Sequence, residues 1–324
     1  MTPLSLIIAA YNRGPKIAMT LDSVLKQTII PDEIIVVDDC SPDGTGEWVS
    51  AHYPQVRVLR TEKNIRTSAA RNLGARTAMG RTLMFLDHDD ELLPHAVETL
   101  LELRTAFPEA RAAFADHAYI NFVNGVRFAD HHSSQPAFAR LRTVPVLRAS
   151  AFGRLYGKSL YFALLRGNLL QQPWVIDRDF FHQLGGFAEE IRYCEDWDLY
   201  LRAVRAGPIA LTDRVISNHY VEGENLHLHS DQATMHLRVL ERQLRRERFR
   251  SPRATLILRR KLAGYFKASG DQLRAENLGL AWRHYARSFW NWPFDLVVAG
   301  RLLLWPLSMI FRRHPVVPRS EDSP

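Results

Sequence analysis

The chain has 324 residues, 46% of them hydrophobic and 24% charged, which excludes a disordered polymer and leaves room for one large domain or two modest ones. Its two cysteines, Cys40 and Cys194, cannot build a disulfide framework and have no metal-ligand partner at short spacing, so a reducing compartment is the simplest reading. The net charge of +7 is split unevenly: residues 1–231 hold 24 Lys and Arg against 28 Asp and Glu, a net of −4, whereas residues 232–324 hold 18 against 7, a net of +11. That asymmetry predicts two units with a boundary near residue 231.

The apolar start "MTPLSLIIAAYNR" has no basic leader and reads as a first strand rather than a signal peptide. The segment "PKIAMTLDSVLKQT" follows with helical spacing behind Pro15, then "EIIVVDD" as a second strand and "SPDGTGEWVSAHY" as turn and helix. A third strand, "VRVLR", precedes the Ala-rich helix "TSAARNLGARTA". A fourth, "RTLMFLD", precedes the helix "PHAVETLLELRTA". Strands alternating with helices predict an α/β domain, a Rossmann-like, mostly parallel sheet flanked by helices. Ligands in such sheets lie at the carboxyl ends of the strands. Asn124-Gly125 marks a hairpin within "AAFADHAYINFVNGVRF". Residues 130–172 show no clear period and read as a long substrate-side loop with some helix. The segment "WVIDRDFFHQLGGF" reads as strand and short helix, "EDWDLYLRAVRAG" as an amphipathic helix with Gly207 at its C-cap, and "IALTDRVISNHY" as a last strand. Helical periodicity dominates from 232 onward.

Three acidic clusters stand at functionally suggestive places: Asp38 and Asp39 after the second strand, Asp87, Asp89 and Asp90 after the fourth, and Glu195, Asp196 and Asp198 at a helix start. Crowded carboxylates repel unless they are well solvated or face a cation, and a hard cation such as Mg²⁺ takes one or two carboxylates together with substrate phosphates. Asp22 and Asp43 read as cap and turn residues. His88, between two of these acids, is expected to point away as the alternate strand residue. Cys40 and Cys194 read as small packing residues. Trp197 reads equally as a sugar-stacking or a core residue.

The segments "SLIIAAYNR", "EIIVVDDCSPDGT", "ARNLGAR", "MFLDHDD", "LGGF" and "EDWDLYLR", in this order, resemble a family 2 inverting glycosyltransferase with the A-type nucleotide-sugar fold, over roughly residues 3–220. The resemblance implies a nucleotide-sugar donor, UDP-linked in most cases, and Mn²⁺ or Mg²⁺ as cofactor. It implies that Ala10, Tyr11 and Arg13 line the nucleotide pocket, that Asp39 hydrogen-bonds the base, and that Arg71, in "ARN" with Asn72, lies near the diphosphate. Asp87 is then directed to ribose and metal, Asp89 to the metal, Asp196 is the general base, and Glu195 orients it or the acceptor. A carboxylate is apt for taking a hydroxyl proton, and a cation with arginine for a departing diphosphate. His219, His227 and His229 are candidates for a further metal ligand. Arg66 stands where family members often carry Gly, which leaves a phosphate contact, an acceptor contact and a solvent-facing side chain all open. The processive "QxxRW" signature is absent, so single-sugar transfer to a glycan or lipid-linked acceptor in cell-surface polysaccharide synthesis is expected.

Between Met235 and Lys267 there are eleven Lys and Arg and two Glu, and the end carries "FWNWPFDLVVAGRLLLWPLSMIFRR". The apolar run after Arg301 is too short to span a bilayer, which needs about 20 residues. Trp290, Trp292 and Trp305 suit an interface, so a helical, basic C-terminal extension (232–324) touching an anionic membrane surface from the cytoplasmic side is expected, with no nucleic acid. A nucleotidyltransferase, which would need a Gly-rich phosphate loop where only Gly14 stands, and a non-catalytic nucleotide-sugar or membrane-binding scaffold are the competing classes.

Overall fold

The protein is described here by a computed structural model covering residues 3–121, 127–130, 138–221, 230–247, 250–274 and 277–303. The chain divides into two compact units, Met1–Val239 and Leu240–Pro324. The division falls inside a helix, past the composition change at 231, because amphipathic periodicity continues across it.

The first unit runs β1 (Leu4–Ala10), α1 (Ala18–Leu25), β2 (Glu33–Asp38), α2 (Thr45–His52), β3 (Arg57–Arg60), α3 (Arg66–Thr77), β4 (Thr82–Asp87), β5 (Asp90–Leu92), α4 (Ala96–Ala106), β6 (Ala112–Asn121), β7 (Arg127–Asp130), β8 (Val146–Ser150), β9 (Gly153–Tyr156), α5 (Ser159–Leu164), β10 (Trp174–Asp177), α6 (Arg178–Gln183), α7 (Glu195–Ala206) and β11 (Ile209–Val221). The helix α8 (Ser230–Glu247) crosses the division, and the second unit continues with α9 (Pro252–Leu273), α10 (Leu278–Asn291) and α11 (Leu296–Leu303).

One sheet holds the first unit, in the order β3-β2-β1-β4-β10-β6-β11-β9-β8. The strands β3, β2, β1 and β4 are mutually parallel, β10 is antiparallel to both neighbours, and β6 and β11 are again parallel to each other. The chain leaves β1 toward β2 and returns on its other side as β4. The carboxyl ends of β1 and β4 therefore flank a topological switch point, where open α/β sheets bind ligands.

Both faces of these strands are covered, which is why they read as continuous apolar runs. Leu6, Ile8, Ile34, Val36, Met84 and Leu86 pack in one core with Ile17, Leu21, Val97 and Leu100. On the opposite side Phe85 meets Trp174, Phe181 and Phe187, while Phe114 stacks on Trp174 at 5.0 Å. Burying one such aromatic side chain contributes roughly 2–3 kcal/mol. The helix α3 lies close on β1 because Gly74 has no side chain; a Cβ there would stand 2.6 Å from Ile7 Cγ2.

Of the stretch 130–172, expected as a long loop, residues 131–137 lie outside the described residues and 138–172 are more regular than a loop. A 3-10 turn (Phe138–Thr143), the β8–β9 hairpin and α5 occupy most of the stretch. The strand β8 is exposed along its whole length, so it carries none of the alternation by which a half-buried strand is read. The strands β6 and β7 pair antiparallel as the Asn124-Gly125 signal requires, although the turn itself lies outside the described residues. Gly207 does sit at the C-cap of α7, in extended rather than left-handed backbone.

In the second unit α9 starts at Ser251, whose side chain accepts from Ala254 N, with Pro252 in the first turn. Asn277 caps α10 in the same way. Ala281, Tyr285 and Val298 form its core, and Ser288 Oγ donates to the Ala263 carbonyl at 2.8 Å. No helix among the described residues is long and apolar enough to cross a membrane; residues 304–324, including Trp305, lie outside them.

Candidate active site

The switch point is bridged by charge. Arg13, just past β1, donates from Nε to His88 Nε2 at 3.1 Å and from Nη2 to Asp89 Oδ2 at 3.2 Å. His88 Nδ1 stands 3.3 Å from Asp89 Oδ1. His88 thus belongs to the cluster rather than pointing away, because strand β4 ends at Asp87 and alternation does not extend through the turn to β5. Burial opposes ionisation of Asp89, but the His88 hydrogen bond and the charges of His88 and Arg13 outweigh it and hold its carboxyl below the usual range. Tyr11 is 46% exposed beside this edge, whereas Ala10 is buried in the core.

Asp39 is buried after β2. Its Oδ1 accepts from Ile65 N at 2.7 Å and Thr61 Oγ1 at 3.0 Å, and its Oδ2 from Arg66 N at 2.7 Å. The carboxylate therefore fixes the loop between β3 and α3. Arg66 takes a left-handed backbone with φ 72, the conformation that glycine adopts without cost, and its side chain is exposed. Asn12, Cys40 and Cys194 share such positive φ values, and both cysteines are free thiols. Asp43 Oδ1 accepts from Thr45 N in the turn before α2, as expected, whereas Asp22 is neither cap nor turn: it lies within α1 and accepts from Tyr53 Oη.

Arg71, 3% exposed, joins the acidic clusters. Its Nη2 pairs with Asp87 Oδ1 and its Nη1 with Glu195 Oε1 at 2.7 Å. With its amide oxygen turned inward, Gln172 accepts from both nitrogens at 2.9 and 3.3 Å. Burial works against the guanidinium charge, and the two carboxylates more than restore it, so its pKa rises. The neighbouring Asn72 is a clamp: its amide donates to the Phe187 carbonyl at 2.9 Å and accepts from Phe187 N at 2.9 Å. Gly186, at φ 65, lets that turn approach; a Cβ would lie 2.6 Å from Asn72 Oδ1.

Asp196 opens α7 beside Glu195. Its Oδ1 accepts from Trp197 N at 2.7 Å and its Oδ2 from Asn168 Nδ2 at 2.9 Å. Burial and the adjacent Glu195 charge push its carboxyl up to about 7, against the pull of those hydrogen bonds. Glu195 is raised too, mainly by burial. Trp197 is a core residue, buried with Nε1 donating to the Leu164 carbonyl at 2.9 Å, which ties the segment carrying Asn168 to α7.

Asp90 and His219 pair across β5 and β11, with Asp90 Oδ2 3.4 Å from His219 Nε2, which also meets the Gln172 carbonyl at 2.8 Å. His227 and His229 lie outside the described residues. Burial, then the charges of Asp87 and Asp89, drive the Asp90 carboxyl well above its ordinary value, and among the described residues its Oδ2 has no hydrogen-bond donor. A divalent cation beside Asp87, Asp89 and Asp90 would favour their ionised forms and offset this crowding. Among the described residues no three acidic, His or Cys side chains form a closed metal cage, so the set suits an ion that completes its shell with phosphate oxygens.

Sequence reasoning missed Asn168 and Gln172, for which local spacing gives no signal, and left Asp90 of the quoted cluster without a role.

The family model for glycosyl transferase family 2 matches residues 5–160. An uncharacterized glycosyltransferase of Bacillus subtilis, YwdF, is 31% identical over 208 residues, 62% of this chain and 68% of that protein. The chain is a family 2 glycosyltransferase. An uncharacterized glycosyltransferase of Haemophilus influenzae is 30% identical, and the match spans 62% of each chain, short of two thirds of that relative's length. A chondroitin synthase of Pasteurella multocida is 26% identical over 76% of this chain but only 23% of its own. Staphylococcus aureus TarS (residues 1–349), solved with UDP-GlcNAc, superposes with a TM-score of 0.57 at 17% identity, covering all of this chain and 98% of that one. The enzyme thus shares the A-type fold, and its C-terminal helices lie within the matched span.

Proposed function

We propose that the enzyme transfers one sugar, with inversion, from a nucleotide-sugar to a hydroxyl of a glycan or lipid-linked acceptor in cell-surface polysaccharide synthesis. The carrying observation is the simultaneous pairing of Arg71 with Asp87 and Glu195. One buried guanidinium spans the acidic group at the switch point and the acidic pair on α7, so donor and base functions fall within reach of a single sugar.

On the donor side, exposed Tyr11 offers a ring to the base above Ala10, and Asp39 keeps lone pairs for a base N–H. Arg13 and Arg71 supply positive charge toward the diphosphate. Asp87 and Asp89 would hold Mn²⁺ or Mg²⁺, which when bound neutralises charge on the leaving diphosphate. His219, the candidate further ligand, is instead engaged by Asp90 and by the Gln172 carbonyl. On the acceptor side Asp196 takes the hydroxyl proton as the acceptor oxygen forms its bond to the anomeric carbon. The bond from that carbon to the diphosphate oxygen breaks, and its electron pair leaves with the diphosphate. A carboxyl with a pKa near 7 is apt for this, since general-base catalysis is most efficient when the base's pKa lies near the working pH. Glu195, held by Arg71, orients the acceptor. A UDP-linked donor is supported by the UDP-GlcNAc complex of TarS, and polysaccharide synthesis by the chondroitin synthase relative. The catalytic unit is assigned to residues 1–231 and the basic unit to the remainder, at the cytoplasmic side of a membrane.

Calorimetry with a panel of nucleotide-sugars, first with Mn²⁺ and then with EDTA, tests this reading. Metal-dependent binding of one donor is expected; binding of none of them, or equal binding in EDTA, contradicts it.

A further inference from the structure

The second unit carries a cleft of about 340 Å³, lined by Glu241, Leu244, Arg245, Arg259, Trp290 and Asn291. Neither Arg245 nor Arg259 makes a hydrogen bond or ion pair among the described residues. Arginines crowd α8: burial, then the charges of Arg246 and Arg245, lower the pKa of Arg242. Like charges three and four residues apart on a helix repel, and an anion between them relieves that cost. Arginine is also the side chain best matched to a phosphate.

Trp290 continues the cleft into an apolar turn. Around the junction of α10 and α11, Trp290, Phe294, Leu296 and Val297 are 83%, 76%, 83% and 53% exposed. Four large apolar side chains within eight residues is more than scattered surface exposure. The acidic residue of this turn is neutralised: Asp295 pairs with Lys267 at 3.0 Å and accepts from Val297 N and Val298 N at 3.1 Å. The turn can therefore enter an apolar phase without carrying an unpaired charge.

We propose that the α10–α11 turn inserts into the interface of an anionic phospholipid bilayer and that the cleft beside it takes a lipid phosphate between Arg245 and Arg259. Aromatic and aliphatic residues at the head-group level, with arginines beside them, are what such a surface recognises. A free soluble phosphate would satisfy the arginines but leave the turn exposed, and a nucleic acid would leave it equally exposed. Glu241 is the acidic side chain on the cleft wall, and it works against the anion. This proposal rests on the membrane placement proposed for the basic unit and not on the donor or base assignments made for the first.

The test uses the full chain in co-sedimentation with vesicles of phosphatidylcholine alone and with added phosphatidylglycerol. Binding is expected only with phosphatidylglycerol. It should weaken at least tenfold (estimated from the roughly 1 kcal/mol per basic residue at an anionic surface) in R245E/R259E, weaken similarly in W290S/F294S, and tighten in E241Q. Far-ultraviolet dichroism should match the wild type in each variant, which separates lost binding from lost folding. Absence of vesicle binding, equal binding to neutral vesicles, or a change in E241Q toward weaker binding overturns the proposal. So does competition by inorganic pyrophosphate or duplex DNA that leaves W290S/F294S unaffected, since it would assign the cleft to a soluble anion.

Discussion

Asp89 and Asp196 are the same side chain in the first unit, placed in opposite electrostatic settings. Asp89 sits at the β4 edge, half in solvent, with Arg13 and His88 against it, and stays ionised more readily than a free carboxyl. Asp196 is desolvated beside Glu195, and its carboxyl holds a proton up to about 7. The first setting suits a permanent negative charge facing a cation; the second suits a group that accepts a proton and releases it. On the proposed roles their environments, rather than their identities, divide the work, and Arg71 joins their neighbours Asp87 and Glu195.

Removing that link should have the largest effect. Arg71→Ala leaves Glu195 buried without its partner, a loss of about 3 kcal/mol for a broken buried pair, with the Asp87 contact adding less because Asp87 is partly in water. A lower denaturation midpoint together with loss of transfer is expected; an unchanged midpoint would mean the two sides are not joined through Arg71. Asp89→Ala should abolish the Mn²⁺-dependent part of donor binding in calorimetry while leaving binding in EDTA unchanged, and retained Mn²⁺-dependent affinity would remove Asp89 from the metal site.

The pH dependence sharpens the comparison. The log of kcat/KM should rise with pH and level off above about 7, as Asp196 ionises. The Asn168 hydrogen bond favours the ionised form, so Asn168→Ala should move that midpoint upward; a midpoint that stays put or falls contradicts its role as a positioning residue. Stability has the opposite sign. Because the folded pKa lies above the unfolded value near 3.9, the native state binds the extra proton, and this contribution is lost as pH rises from about 4 to about 7.

The smallest effect expected is at Arg66. Arg66→Gly relieves a left-handed non-glycine residue, about 1 kcal/mol, or a rise of about 2–4 °C in Tm. If donor binding weakens as well, the guanidinium contacts the donor; if only Tm changes, it faces solvent.

The parallel strands β1, β2 and β4 were legible because both of their faces are buried and the apolar runs are continuous, whereas β3 is a short, partly exposed edge strand. The acids at their ends could be read from position alone. Asn168 and Gln172 could not, since they reach Asp196 and Arg71 through tertiary approach from a stretch whose exposed strand β8 carries no period. The role of Asn72 was hidden for a similar reason: its partner, the Gly186–Phe187 turn, is more than a hundred residues away in sequence. Arg66 shows the reverse case. The departure from glycine was visible, but the backbone that makes glycine favourable there was not.

The most direct test of the account is Asp196→Asn, measured for donor affinity by calorimetry and for transfer by product formation. The account predicts unchanged donor affinity with a fall in kcat of roughly 10²–10⁴-fold, the usual contribution of a general base. Near-normal turnover, or loss of donor binding along with activity, would contradict the separation of donor and base on which it rests.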